Sequence, residues 1–380
     1  MRARLRNISW AGAAGGLCMF VGLFLPIGFY EDDKAFWSQF PSGAALVLVG
    51  LAGLIVGEVW LKRLRNGRSW AALGPIALLL SAAGLVVLPA TELQMGFMAP
   101  GFWLVLIGIA FFAWVVMAHL AAMPRDRWRN VLVPALFGLL FVFLWQAVVV
   151  GFAIPSVLLP TPTAIVAAIS REAGTLTDDF RQTFLKAVLA GYVLGNLIAF
   201  VTALLADRLP FFQRGLLPLG NLASAVPIVG IAPIMVMWFG FGWESKTAVI
   251  VFMIFFPMLI NALAGLNAAD RMSLDLMRSY GASYGQTLLK LRLPMALPFL
   301  FNALKINSTL ALIGAIVAEF FGSPTAGMGF RISVEAARMN LDVVWATIAV
   351  AAVAGSAFYG ILALLERAFT FWHPSYRTRN

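Results

Sequence analysis

The feature that most constrains this chain is a series of ten apolar runs, at approximately 8–29, 43–61, 70–89, 101–122, 131–153, 182–206, 216–239, 247–267, 297–320 and 343–365. Each reaches or approaches the ~20 residues that carry an α-helix across a bilayer. Water offers no way to bury so many, and lipid requires every backbone polar group to be satisfied within the segment. The expected fold is therefore an all-α membrane protein with about ten transmembrane helices. Composition agrees: 12% of the residues are charged, against about 25% in soluble domains. The first run follows the basic start "MRARLR" in the manner of a signal peptide. It is long for such a segment and lacks a clear small-residue cleavage site, so it is expected to be a retained helix.

Lysine and arginine then set the orientation. With the N-terminus inside, the inner segments carry Arg2, Arg4 and Arg6, then Lys62, Arg63, Arg65 and Arg68, then Arg125, Arg127 and Arg129. Further along they carry Arg208, Arg214, Arg271, Arg278, Lys290 and Arg292, and finally Arg367, Arg377 and Arg379. The outer segments hold fewer, namely Lys34, Arg171, Arg181, Lys186, Lys246, Arg331 and Arg338. Both termini are accordingly expected in the cytoplasm. The net charge of +10 is spread over these inner loops, which suits anionic headgroups and not nucleic acid.

Several chemistries are excluded. Cys18 is the single cysteine, so no disulfide forms within the chain. His119 and His373 stand far apart, whereas a metal needs three or four converging ligands. No phosphate-binding loop, nucleophile elbow or catalytic carboxylate pair occurs, so any energy source lies on another chain. Gly191-x-x-x-Gly195 and Gly12-x-x-x-Gly16 read as close helix packing.

One inner loop has structure of its own. In "DLMRSYGASYGQTLLKLRLPMALPFL" (275–300) and the residues just before it, Asp270 is placed to cap a short helix. Met272, Leu276 and Tyr280 then make an apolar stripe with Met277 beside it. Gly281 supplies the left-handed stop, a second amphipathic segment spans Tyr284 to Leu293, and Pro294 and Pro298 are expected to break the chain before it re-enters the membrane. Such a stripe either docks a partner or lies flat on lipid.

"GASYGQTLLKLRLPMALP" resembles the cytoplasmic loop of permeases from binding-protein-dependent ABC importers. The family pattern is Glu-Ala-Ala, three residues, Gly, nine residues, Ile-x-Leu-Pro. The matching glycine is Gly281, and Leu291, Leu293 and Pro294 fall in register. The Glu-Ala-Ala position is occupied by Asp275, Leu276 and Met277, an acid followed by two bulky residues. "LPTPTAIVAAI" (159–169), "AVPIVGIAPIMVMWFGFGWESK" (225–246) and "AEFFGSPTAGMGF" (318–330) resemble the nitrate, sulfonate, taurine and thiamine-precursor branch. The resemblance covers roughly 131–372. It implies a six-helix type I permease core with a coupling loop at 268–296, working as a homodimer in the bacterial inner membrane. Two cytosolic ATPase subunits would bind ATP and Mg, the chain itself would hold no cofactor, and an external binding protein would deliver a small anionic or zwitterionic solute.

Within this core, Pro227, Pro233 and Pro257 interrupt spans, which suits a gated path and also occurs in inert bundles. Asn221, Ser224, Asn261, Asn302, Lys305 and Thr309 place polar groups at membrane depth, and Glu319 lies near the outer end of its span. With Pro227 these are the candidate path residues. Lys305 is only about 10 Å along a helix from Pro298, so snorkelling to the inner surface stays open beside a path role. Residues 1–122 lie outside the resemblance, hold Glu58 and little else polar at depth, and read as a four-helix extension that packs or binds a partner. Residues 123–130 read as a cytoplasmic linker and 373–380 as a cytoplasmic tail. An ion-coupled carrier would want acidic groups at mid-membrane, and a membrane enzyme a cluster of His, Asp or Glu; neither pattern is present.

Overall fold

A computed structural model of the chain describes residues 2–30, 33–56, 67–86, 94–95, 99–122, 129–209, 211, 215, 226–322 and 325–371. It divides into two compact units, Met1–Val166 and Ala167–Asn380. Among the described residues, six helices are long and apolar enough to cross a membrane: Pro100–Ala121, Asn130–Gly151, Ala173–Arg208, Trp243–Leu266, Tyr284–Gly322 and Leu341–Phe369. Four shorter apolar helices, Trp10–Gly22, Pro41–Ile55, Gly74–Val86 and Ile228–Phe239, coincide with the remaining predicted runs.

The first unit holds α1 (Arg2–Gly22), α2 (Pro41–Ile55), α3 (Gly67–Val86), α4 (Pro100–Ala122), α5 (Arg129–Gly151) and the first half of α6 (Pro162–Arg171). α1 packs along α4 and α2 along α3. Their common core includes Met19, Val47, Leu51, Leu78, Phe102 and Phe112, and α5 contributes Leu136 and Ala147 to it. α5 also comes close to α4 at Gly151, where an added Cβ would stand 2.7 Å from the Phe102 ring. A small antiparallel sheet, absent from the all-helical expectation, joins β1 (Gly28–Tyr30), β2 (Asp33–Ala35) and β3 (Gln94–Met95) in the order β2-β1-β3. Strands of two or three residues are too short to show an alternating pattern.

The second unit holds α7 (Ala173–Phe180), α8 (Leu189–Arg208), α9 (Ile228–Phe239), α10 (Trp243–Leu266), α11 (Arg271–Ser279), α12 (Tyr284–Thr287), α13 (Leu293–Gly322), α14 (Met328–Ala337) and α15 (Leu341–Phe369). π-helical turns at Arg181–Val188 and Leu288–Arg292 join α7 to α8 and α12 to α13. The helices between Ala173 and Arg208 and between Tyr284 and Gly322 are therefore continuous, with 36 and 39 residues. α8 locks onto α10 through the predicted small-residue spacing: a Cβ on Gly191 would lie 2.7 Å from Ile250, and one on Gly195 would lie 2.6 Å from Ile254. That approach lets the two backbones come together without relying on a hydrophobic driving force, which lipid does not supply.

The prolines behave differently from expectation. Pro294 and Pro298 do not break the chain; both lie within the α12–α13 helix. The π-turn ahead of Pro294 explains this, because Leu293 N–H reaches back to Leu288 O and the widened turn moves the ladder clear of the ring. Pro233 and Pro257 likewise sit inside α9 and α10, while Pro227 is the N-cap of α9.

Candidate functional site

α11 is a nine-residue helix fixed at both ends and free along its length. The Asp270 carboxylate accepts from Ser273 N–H at 2.5 Å, and this backbone bond holds the carboxyl below its ordinary value. At the other end Ala282 N–H donates to Met277 O and Gly281 N–H to Arg278 O, the paired bonds of a Schellman stop. Gly281 has φ +67°, the left-handed backbone that the sequence required of it. No residue of α11 is buried. Met272, Leu276 and Tyr280 stand 84%, 57% and 82% exposed, and Met277 is half-buried. The Asp275 carboxylate meets Arg278 at 3.3 Å and in solvent, an ion pair of little energetic weight.

The return strand is fixed just as firmly. Ser283 and Gln286 form a reciprocal capping box that starts α12. Leu291, Leu293 and Pro294 are half-buried, with Leu293 against the cluster of Leu259, Ala262, Leu263 and Ala296. Between Leu291 and Leu293, Arg292 makes a bidentate pair with Asp207 at 2.6 and 2.8 Å. Its Nε donates to Leu266 O at 2.9 Å and one terminal nitrogen to Asn267 Oδ1 at 3.3 Å. Tyr284 donates its hydroxyl to Asp207 at 2.8 Å and receives the Arg208 guanidinium over its ring at 4.9 Å.

The candidate path residues fall into separate settings. Asn221 and Ser224 lie outside the described residues. Pro227 is exposed and flanked by Val226 and Ile228, which line a cavity of about 310 Å³ with Ile231, Phe252, Met253, Phe256, Pro257 and Leu310. One turn along α10 from this cavity, Asn261 donates to Pro257 O at 2.8 Å and accepts from Asn302 at 3.2 Å. Thr309 is exposed and bonds back to Ile306 O. Lys305 pairs with Glu366 of α15 at 2.6 Å, both side chains largely buried. Glu319 is 2% exposed and accepts from Thr183 at 2.8 Å and Gly329 N–H at 2.7 Å. The structure thus joins Asn261 to Asn302 and leaves Lys305 and Glu319 in two further, separate networks.

The profile of the family described as "Binding-protein-dependent transport system inner membrane component" matches residues 195–371. The chain is 33% identical over 219 residues to the "Probable ABC transporter permease protein" of Haemophilus influenzae, a match spanning 58% of this chain and 89% of that protein. It is 30% identical to the "Formylaminopyrimidine transport permease protein ThiX" of Halalkalibacterium halodurans, over 65% of this chain and 98% of that one. It is 31% identical to the "Taurine transport system permease protein TauC" of Escherichia coli (strain K12), over 66% and 94%. The chain belongs to this family. It is the permease subunit of an ABC importer, a multi-helix component of the inner membrane.

The permease also carries polar residues to which the sequence reading gave no site role. Asn307 donates to Asn196 Oδ1 at 2.6 Å and to Ile254 O at 3.0 Å, fastening α13 to both α8 and α10. Asp179 accepts from Gly327 N–H and from Arg331, each at 2.8 Å. Lys246 donates to the carbonyls of Phe241, Gly242 and Gly322. Their shared signal was available: each is a charged or amide group inside or beside an apolar run, where an unpaired polar group is costly. Their partners, up to 152 residues away, were not readable from local spacing.

Proposed function

We propose that two copies of this permease form the membrane path of an ATP-driven importer in the bacterial inner membrane, with both termini of each copy in the cytoplasm. Two cytosolic ATPase subunits bind ATP and Mg, and the permease itself carries no cofactor. A binding protein outside the membrane delivers a small anionic or zwitterionic solute. Relatives named for taurine and for formylaminopyrimidine support a solute of this size. The finer architecture proposed is ten spans: a four-helix extension at 1–122, a linker at 123–130, a six-helix core at 131–372 and a tail at 373–380. The cavity beside Pro257 and the Asn261–Asn302 pair belong to the path in this reading, and Lys305, Thr309 and Glu319 border it.

The single observation that carries the reading is α11: an apolar stripe held on a helix capped at both ends, with none of its residues buried. A groove on the ATPase would receive Met272, Leu276 and Tyr280, and closure of the ATPases on ATP would move α11. An ion-coupled carrier would need a carboxylate open to the ion, and Glu319 and Glu366 are both engaged by protein groups. The test is capture of the ATPase from membranes together with ATP turnover stimulated by loaded binding protein. Gly281→Val is expected to abolish both, because a β-branched residue resists a left-handed backbone. Leu276→Asp is expected to weaken both by placing an unpaired charge at the contact, a cost of several kcal/mol once buried. Normal capture and turnover in both variants would mean that α11 rests on lipid.

A further inference from the structure

We propose that Arg292 and Asp207 form the pin through which movement of α11 reaches the membrane helices, an inference that rests on the importer reading above. α11 lies in the segment that leaves α10 at Leu266 and returns at Tyr284. A segment tethered only by its chain ends would absorb a push on α11 by swinging. Here both ends are fastened to one ion pair. On departure, Leu266 O and Asn267 Oδ1 accept from Arg292 at 2.9 and 3.3 Å. On return, Arg292 is the last residue of the π-turn, and Tyr284 donates to Asp207 at 2.8 Å.

The third attachment is Asp207, in the last turn of α8, gripped by both terminal nitrogens of the guanidinium. Three membrane helices therefore meet at one planar group: α8 through Asp207, α10 through the carbonyl at its C-terminal end, and α13 through the chain itself. A bidentate fork fixes direction as well as distance, since rotating either partner breaks one of the two bonds. The pair is 14% and 5% exposed, and charges removed from water are held strongly to their partners. A displacement of α11 cannot be taken up inside the loop without parting this pair, so it passes to the three helices together.

The test uses the whole transporter, with its ATPase and binding protein, on a Cys18→Ser background. Met253→Cys, in the cavity beside Pro257, reports the arrangement of the spans through its rate of labelling by a maleimide. In this parent, trapping the ATPase with ATP and vanadate is expected to change that rate severalfold. Arg292→Lys keeps the charge and loses the fork; Asp207→Asn keeps the shape and loses the charge. Both variants are expected to retain the ATPase and to trap vanadate as the parent does, with cavity labelling indifferent to trapping. A cavity that still responds in both variants overturns the pin. So does loss of membrane insertion or of ATPase capture in both, which would make the pair an element of folding alone. A parent that captures no ATPase sinks the importer reading and the pin with it.

Discussion

Asp270 is a cap whose charge is lost only in acid. Its carboxyl is held below the ordinary value by the Ser273 N–H, so the folded helix binds the proton less readily than the unfolded segment does. The cap's contribution is complete above the ordinary carboxylate range and is lost as pH falls through the depressed value. Hydrogen exchange at the first-turn amides of α11, corrected for intrinsic rates, should therefore be equally slow at neutral and mildly acidic pH and faster only in strong acid. Asp270→Asn keeps the acceptor and should abolish the acid step, whereas Asp270→Ala should speed exchange at every pH. The cap and the stop of this helix were legible in the sequence because both act over three or four residues: Asp270 on Ser273, and Gly281 on Arg278. Arg292 was legible only as a positive charge on an inner loop. Its partners Asp207 and Leu266 are 85 and 26 residues away, a separation that spacing rules do not reach.

At the scale of elements, apolar runs located the helices well and described their interruptions poorly. Proline was expected to end a helix at Pro294. In the structure the π-turn before it absorbs the ring, and such a turn leaves no composition signature. The span predicted at 182–206 likewise begins earlier, because Ala173–Phe180 is amphipathic and joins it through the other π-turn. The extension poses a related question. α5 falls within the core by resemblance, yet its Leu136 and Ala147 are buried in the cluster built by α1–α4. The three relatives match over 89–98% of their own length on 58–66% of this chain. A chain of residues 123–380 should then keep ATPase capture and ATP-driven uptake while melting several degrees earlier, since the face of α5 loses its close packing. Thermal melting and uptake in reconstituted vesicles check this together. A truncated chain that captures the ATPase and transports nothing would place the extension in the mechanism.

For the whole molecule, the orientation rests on where the cations stand, and two exposed methionines test it. Met272 on α11 and Met339 after α14 are 84% and 62% exposed, and the proposed topology puts them on opposite faces of the membrane. With Cys18 replaced, an impermeant thiol reagent applied to intact cells should label Met339→Cys and spare Met272→Cys. Labelling of Met272→Cys from outside would invert the assignment. The two faces are joined by the helix from Tyr284 to Gly322, whose 39 residues make it about 58 Å long, nearly twice the hydrocarbon thickness. Its length acts as mechanical gain. A tilt of about 5° about Arg292 sweeps the Gly322 end sideways by about 4 Å, where Glu319 holds Thr183 and Gly329. In the proposed importer a small stroke near Arg292 would thus be large enough at the far side to part or close a passage the width of a small solute, with no relay of side chains needed in between.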